Sequence, residues 1–179
     1  MRRRLAGVDA EAASAAAWAV AQRAMADRAV GAASTLLICL AFGDELDTRP
    51  LIDRLTDAGK RVCLPRCVEG RRELTVHPYP CALERLSFGL EQPTRDSPAI
   101  DAATLDLALL VGLAFDHKAY RLGHGGGYFD RFLAATALPA IGLAYDQQIV
   151  EELPRLAHDV PLTAVLTPTR TLRPAPDAA

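Results

Sequence analysis

A glycine-rich segment with the sequence RLGHGGGYFD occupies residues 121–130 and lies between an apolar run and a helical pattern. The apolar run covers residues 105–115, and the helical pattern covers residues 128–137. Proteins of the α/β class hold phosphate groups with a strand, a glycine loop and a helix in this order. The glycines let the backbone approach closely, and the free N–H groups at the helix start favour an anion. The segment therefore predicts a phosphate-binding loop in an α/β fold.

The loop differs from the two common phosphate motifs. A Walker A loop continues with Gly-Lys-Ser/Thr, whereas Tyr128 follows the glycines here, and a Rossmann loop requires glycine at that same position. Arg121 and His124 add side-chain donors for an anion, and Asp130 adds an acceptor suited to a metal ion. A turn that only connects two elements is the alternative, and the flanking Arg, His and Asp favour the phosphate site.

Strand and helix patterns alternate along the chain, which predicts an α/β fold with a mostly parallel sheet and helices on both faces. We expect a single domain over residues 1–170, an irregular surface excursion over 80–104 and a flexible tail over 171–179. The predicted strands cover residues 34–42, 61–65, 73–79, 105–115, 139–145 and 164–167, and the predicted helices cover residues 9–33, 48–57, 128–137 and 147–153.

Ligands of a parallel sheet bind beyond the carboxyl ends of its strands. Polar side chains follow several of the predicted strands: Glu45, Arg66, the glycine segment and Asp146. We therefore expect the functional residues to meet at one edge of the sheet.

Composition narrows the class of protein. The chain has 179 residues, a net charge of −2 and a pI of about 6.1, which argues against nucleic acid or an anionic membrane as the main partner. No apolar run reaches the length of a membrane span. Cys39 and Cys63 lie in apolar strand patterns, which predicts buried thiols in a reducing compartment. We expect a cytoplasmic monomer that binds neither nucleic acid nor a membrane.

Five segments resemble one known family in order and spacing. The most specific is GLAFDHKAYRLGHGGGYFDRFL (112–133), and the others are FGDELDTRPLI (42–52), AGKRVCLPR (58–66), FGLEQPT (88–94) and AIGLAYDQQIVEELPRLAHDVPL (140–162). Over residues 4–170 the chain resembles the 5-formyltetrahydrofolate cyclo-ligases, also called methenyltetrahydrofolate synthetases. The resemblance implies an ATP-driven, Mg²⁺-dependent ring closure of 5-formyltetrahydrofolate to 5,10-methenyltetrahydrofolate, with ADP and phosphate released.

The resemblance also implies roles for individual residues. Arg121 would stabilise charge on the transferring phosphoryl group, and Asp130 would bind Mg²⁺, with a helix-terminal acid as the alternative. Glu45 would accept hydrogen bonds from a pterin, and Leu40 would contact a folate ring unless it only packs in the core. The implied ATP-binding residues are Arg121, Leu122, Gly123, His124, Gly125, Gly126, Gly127, Tyr128 and Phe129, and the implied folate-binding residues are Leu40, Glu45, His124, Gly125 and Gly126.

Three positions depart from the family pattern. An N-terminal Lys-x-x-x-Arg-type element that contacts ATP is expected to be missing, because Arg4 aligns after it. Thr163 stands where the family has a second acidic residue beside the metal, and Val111 replaces a proline. A catalytically impaired folate- or nucleotide-binding paralogue is therefore the second hypothesis. A phosphosugar enzyme on a similar sheet is the third, and it is disfavoured because no catalytic lysine or paired carboxylates accompany the loop.

Overall fold

The computed structural model describes residues 9–156 and 159–174. Its strands are β1 (Thr35–Ile38), β2 (Arg61–Cys67), β3 (Leu74–Pro78), β4 (Leu83–Arg85), β5 (Glu91–Pro93), β6 (Leu107–Leu110), β7 (Ala114–Asp116), β8 (Arg121–Leu122), β9 (Ala140–Leu143), β10 (Ile149–Val150), β11 (Ala164–Leu166) and β12 (Thr171–Leu172). Its α-helices are α1 (Ala10–Ala26), α2 (Arg28–Ala32), α3 (Arg49–Asp57) and α4 (Tyr128–Thr136), and short 3₁₀ turns cover Ala102–Thr104 and Asp146–Gln148.

Seven strands form the main sheet, in the order β12-β11-β9-β6-β1-β2-β3. Its five inner strands are parallel, and the two edge strands, β3 and β12, run antiparallel to their neighbours. Strands β6, β9 and β11 are buried at every position, as expected for parallel strands covered on both faces. The predicted α/β fold, a single domain with a mostly parallel sheet and packed helices, is confirmed.

Helix α1 illustrates how the sequence pattern produces the packing. Its buried residues are Ala17, Val20, Ala21 and Ala24, a spacing of three and four that forms one face of a helix. Helix α1 packs against α3 and also contacts β11. In the described part of the chain, no helix is long and apolar enough to cross a membrane.

The order of the strands locates the ligand site. Strand β1 leads through α3 to β2 on one side of the sheet, whereas β6 leads to β9 on the other side. The chain therefore leaves these two neighbouring strands in opposite directions, which opens a crevice between their carboxyl ends. In open α/β sheets ligands bind at this point. Residues that follow β1 and β6 are the first candidates for the site.

The predicted central strand over residues 105–115 is wrong in its length. Strand β6 ends at Leu110, and β7 belongs to a separate three-stranded sheet with β8 and β10. The chain turns back because Leu113 N–H donates to the Leu122 carbonyl at 2.7 Å, which closes the hairpin that leads to the glycine loop. Fully buried Phe115 then packs against Gly142 of β9, where an added Cβ would lie 2.6 Å from its ring. The apolar run over residues 105–115 continues across the break between the strands because β6 and β7 are both buried.

Three other predicted elements also differ from the structure. The predicted helix over 9–33 is interrupted at Asp27, whose Oδ1 accepts from Ala29 N–H at 2.9 Å and begins α2. The expected irregular excursion over 80–104 contains the hairpin of β4 and β5. The predicted helix over 147–153 is a 3₁₀ turn followed by β10.

Part of the expected tail belongs to the sheet. Residues Thr171–Leu172 form β12 and pair with β11, whereas the sequence placed them in a flexible segment. Residues 175–179 lie outside the described part of the chain.

Candidate active site

A cavity of about 900 Å³ lies in the region where β1 and β6 end. Its volume is in the range of pockets that enclose most of a small organic ligand. The lining comes from the segment after β1, the glycine loop, the first turn of α4, the β4–β5 hairpin, residues 153–156 and Asp159. Every residue predicted for the site lines it: Leu40, Glu45, Arg121, Leu122, Gly123, His124, Gly125, Gly126, Gly127, Tyr128, Phe129 and Asp130.

The glycine loop presents backbone rather than side chains to the cavity. Gly125 and Gly127 have φ values of +91° and +64°, a region that other residues avoid. Gly127 is also the N-cap of α4, and no side chain caps this helix. The first N–H groups of a helix have no partner within it, so the start of α4 favours an anion in the cavity.

Arg121 is held beside Asp130 at the inner wall of the cavity. Its Nη2 lies 3.7 Å from Asp130 Oδ2, and its Nη1 donates to the Val111 carbonyl at 3.3 Å. The guanidinium also lies 5.1 Å from the centre of the Phe129 ring. Only 7% of the Arg121 side chain is exposed, so the cation is pre-positioned rather than free to move in solvent.

Two glycines make room for the Arg121 side chain. A Cβ on Gly123 would lie 2.7 Å from Arg121 Nη1, and a Cβ on Gly112 would lie 3.0 Å from its Cγ. The first distance is shorter than a Cβ atom tolerates and the second is tighter than most Cβ contacts, so a side chain at either position would press on the arginine. Gly112 and Gly123 therefore let the Arg121 side chain lie close to the backbone, whereas Gly125 and Gly127 allow the positive φ values of the loop.

We expect Gly123→Ala to lower kcat about tenfold or more with little loss of stability. The added methyl group pushes on the guanidinium end of Arg121, and a misplacement of about 1 Å can cost about 10²-fold in rate. The matched control is Gly31→Ala in α2, where nothing lies within 4 Å of the added Cβ. Steady-state turnover and melting temperature measured on both variants check this. An unchanged kcat in Gly123→Ala would mean that Arg121 works from another position.

Glu45 is a buried carboxylate that lines the cavity from the segment after β1. Its side chain is 6% exposed, and its Oε2 accepts from Phe42 N–H at 2.9 Å. Burial raises the pKa of the Glu45 carboxyl, and the hydrogen bond from Phe42 and the nearby His124 partly offset this. Its Oε1 lies 3.2 Å from His124 Nε2, so the segment after β1 contacts the glycine loop directly.

Apolar side chains surround Glu45. The Phe42 ring lies 4.8 Å from the His124 ring and 5.5 Å from the Phe88 ring, measured between centroids. Leu40 is buried and lines this part of the cavity. An apolar, aromatic wall with one buried acceptor suits a flat heterocycle whose N–H groups need a partner. The remaining apolar lining residues on this side are Leu64, Leu74 and Leu90.

Cysteine chemistry does not explain the cavity. Cys39 lines it, and burial, followed by the charge of Glu45, raises the pKa of its thiol to about 12. The thiol is therefore neutral and unsuited to nucleophilic attack. Cys39 and Cys63 are buried and free, as the sequence predicted.

Asp116 organises the hairpin before the glycine loop, and the sequence analysis missed it. It is fully buried, and its Oδ1 accepts from the backbone N–H groups of Lys118 and Tyr120 at 2.9 and 3.0 Å. Its Oδ2 accepts from Leu153 N–H and pairs with Arg155, both at 3.2 Å. An acid at the end of an apolar run was the signal that a buried carboxylate with several donors would be found there.

Gln148 is a second positioning residue that the sequence analysis missed. It is fully buried, its Nε2 donates to the Gly112 carbonyl at 2.5 Å, and its Oε1 accepts from Tyr145 N–H at 2.7 Å. These bonds hold the turn after β9 against the segment that leads to Arg121. They also explain why residues 147–153 do not form a helix.

The predicted role of Thr163 beside a metal is wrong. Thr163 precedes β11 at its amino end and donates from Oγ1 to the Ala140 carbonyl at 2.8 Å, at the amino end of β9. It is exposed and does not line the cavity. Asp159, four positions earlier, does line the cavity with Asp130. Asp159, and not Thr163, is therefore the polar residue of this segment that faces the cavity.

Two other polar residues that follow predicted strands have structural partners. Asp146 Oδ1 accepts from the hydroxyl groups of Thr167 and Thr169 at 2.6 and 2.7 Å and does not line the cavity. Arg66 lies within β2, pairs with Glu84 and donates to the Pro93 carbonyl at 2.7 Å. It therefore holds the β4–β5 hairpin against the sheet.

The fold and the site together define an α/β protein with a glycine loop and a ligand-sized cavity at the switch point of its sheet. The chain belongs to the 5-formyltetrahydrofolate cyclo-ligase family, whose model matches residues 1–168. A 5-formyltetrahydrofolate cyclo-ligase from Escherichia coli is 37% identical over 159 residues, covering 84% of this chain and 86% of that protein. One from Mycolicibacterium smegmatis is 34% identical over 149 residues, covering 76% and 74%.

A solved structure agrees with this assignment. The NMR structure of the Aquifex aeolicus 5,10-methenyltetrahydrofolate synthetase matches with a TM-score of 0.76 and 27% sequence identity, covering 99% of this chain and 85% of that one. The family predicted from the five segments is confirmed.

Proposed function

We propose that this protein catalyses the ATP-dependent cyclisation of 5-formyltetrahydrofolate to 5,10-methenyltetrahydrofolate, with release of ADP and phosphate. One observation carries the proposal: the buried Glu45 carboxylate and the glycine loop line the same cavity and meet through His124, 3.2 Å from Glu45. A pterin ring bound at Glu45 therefore lies in the same enclosure as an anion bound at the loop. The family of the chain supports the same activity.

The reaction requires this juxtaposition. The oxygen of the N5-formyl group is a poor leaving group, so it first attacks the γ-phosphorus of ATP and displaces ADP. N10 then attacks the activated formyl carbon, its proton is lost, and the C–O bond breaks to release phosphate. Because the protein adds no covalent step of its own, catalysis rests on positioning and on charge stabilisation.

The glycine loop and Arg121 supply the charge stabilisation in this proposal. The N–H groups of residues 123–127 and of the first turn of α4 bind the phosphate oxygens. Arg121, fixed beside Asp130, donates to the phosphoryl group as its charge develops. Tyr128 and Phe129 close the wall beside the loop.

The acidic residues of the cavity fit Mg²⁺ that arrives with ATP. Asp130 and Asp159 both line the cavity, but in the described residues no group of three His, Cys, Asp or Glu side chains could hold a metal ion. Mg²⁺ is commonly held by one or two carboxylates together with substrate phosphates and water. When bound, it neutralises charge on the phosphates. We therefore propose Asp130 as the main protein ligand and Asp159 as the second.

The test of this function is turnover of purified protein on 5-formyltetrahydrofolate, followed by the absorbance of the methenyl product. We expect product only when ATP and a divalent metal are both present. Product formed equally fast without nucleotide would contradict activation by phosphorylation. Binding of both substrates without any product would support the impaired paralogue instead. Of the departures that motivated that alternative, Thr163 lies outside the cavity and Arg4 lies outside the described residues.

We expect Glu45→Gln to raise the Kd for 5-formyltetrahydrofolate about tenfold, since a hydrogen bond to a charged acceptor contributes about 1.5–3 kcal/mol. The Kd for ATP should change less, because Glu45 contacts the His124 side chain rather than the loop backbone that is proposed to bind the phosphates. The matched control is Glu91→Gln, which removes a carboxylate at the cavity wall that already pairs with Arg49. Separate calorimetric titrations of each variant with ATP and with 5-formyltetrahydrofolate measure the two Kd values. A weaker affinity of Glu45→Gln for ATP would instead assign Glu45 to the nucleotide site.

We also propose that the protein acts as a cytoplasmic monomer without nucleic acid or membrane partners. The net charge of −2 supports the expected lack of nucleic acid or anionic membrane partners. Size-exclusion chromatography with light scattering tests the oligomeric state.

A further inference from the structure

A second cation lines the cavity, away from the folate-type wall. Arg121 and Arg155 are the arginines among the described lining residues. Arg155 pairs with Asp116 of β7, and β7 packs over β9 through Phe115 and Gly142. In the sheet, β9 lies on the side of β6 away from β1, whereas the apolar residues around Glu45 come from the segment after β1, from β2 and β3, and from the β4–β5 hairpin. Arg155 therefore stands at the end of the cavity opposite the pterin-type wall.

The protein fixes the position of the Arg155 guanidinium but leaves some of its N–H donors without a partner among the described residues. Its Nη2 is used by Asp116 and Glu152, both at 3.2 Å, and its guanidinium stacks 4.2 Å from the centre of the Tyr120 ring. Its Nη1 forms no hydrogen bond within the described residues, and its Nε is buried without a partner. The side chain is 27% exposed, so the guanidinium can meet a ligand.

The positive charge of Arg155 is only partly neutralised by Asp116 and Glu152. Asp116 already accepts three backbone N–H groups, which stabilise its negative charge independently of the arginine. Glu152 is 68% exposed, so solvent screens its attraction. A stacked, anchored guanidinium with an open N–H edge is the arrangement that proteins use to bind phosphate oxygens. Tyr120, on which it stacks, directly precedes Arg121 in the chain.

We propose that Arg155 is a further nucleotide-binding residue whose Nη1 donates to a phosphate oxygen of ATP. The inference rests on the proposed function for the identity of the ligand. It adds a cation outside the glycine loop, and it assigns Asp116 and Tyr120 the task of holding that cation in place. The apolar wall around Glu45 remains the folate end of the cavity.

The test is a pair of titrations, one with the Mg²⁺ complex of a non-hydrolysable ATP analogue and one with 5-formyltetrahydrofolate. We expect Arg155→Gln to raise the Kd for the nucleotide about tenfold or more, as loss of a charge-assisted hydrogen bond predicts, and to leave the Kd for the folate unchanged. Arg155→Lys should recover part of the nucleotide affinity, because it keeps the charge but not the fork of donors. The matched control is Lys118→Gln, which removes a cation that also approaches Glu152 but does not line the cavity.

An unchanged nucleotide Kd in Arg155→Gln would overturn the proposal, and so would a change confined to the folate. Because Asp116 is buried, loss of its ionic partner can destabilise the fold, so the melting temperature of each free variant is measured alongside. If Arg155→Gln does not fold, the double variant Asp116→Asn/Arg155→Gln is compared with Asp116→Asn alone, and equal nucleotide affinities would again overturn the proposal. Parent protein that binds nucleotide but forms no product would contradict the proposed reaction, not the role of Arg155.

Discussion

Arg121→Ala is expected to lower kcat about 10²-fold or more while leaving the Kd for 5-formyltetrahydrofolate close to that of the parent. The reason is positional: the guanidinium lies in the inner wall beside Asp130 and the glycine loop, and the carboxylate assigned to the folate is Glu45. An interaction that forms with charge in the transition state lowers kcat when it is lost, whereas one that only binds substrate raises KM. Single-turnover kinetics and folate titration measure the two effects separately.

The control for Arg121→Ala tests the effect of leaving Asp130 without its cationic partner. The Asp130 side chain is 16% exposed and would lose its cationic neighbour in Arg121→Ala. Arg121→Lys keeps a positive charge but not the planar fork, so we expect an intermediate rate with stability near that of the parent. If Arg121→Ala weakens folate binding and leaves kcat intact, Arg121 belongs to the folate site and the phosphoryl role fails.

Asp130→Asn is expected to nearly abolish turnover and to raise the Mg²⁺ concentration needed for half-maximal activity. A carboxylate is a far better ligand for a hard cation than an amide oxygen, and Asp130 is the acid closest to the loop in sequence and in the first turn of α4. Asp159→Asn should shift the metal requirement in the same direction but less. The measurement is a Mg²⁺ titration of activity at fixed ATP for the three proteins.

Asp146→Asn is the matched control, because Asp146 also follows a parallel strand but bonds Thr167 and Thr169 away from the cavity. Its Mg²⁺ dependence should equal that of the parent. An Asp130→Asn protein with parental metal dependence would leave Asp130 as a helix-terminal acid that pairs with Arg121, and the metal would be held elsewhere.

The sequence alone predicted the glycine loop, the α/β class and the family, because each depends on residues that are close together in the chain. The loop residues Arg121 to Asp130 are consecutive, so their chemistry can be recognised without knowledge of the fold. The parallel strands are likewise visible as apolar runs, since both of their faces are buried. The rule that ligands bind at the carboxyl ends of such strands then predicted Glu45 and the loop at one edge of the sheet.

Contacts between distant positions were decided only by the tertiary structure. His124 meets Glu45 across 79 positions, Arg155 meets Asp116 across 39, and Gln148 meets Gly112 across 36. Each of these side chains is unremarkable in its local pattern, and its partner is determined by how β6, β7 and β9 pack. Thr163 and Asp159 show the same limit: both precede β11, and which of the two faces the cavity depends on the path of the chain before that strand. The chemistry of a motif can be recognised from consecutive residues. The orientation and burial of a side chain depend instead on elements that the chain brings together only on folding.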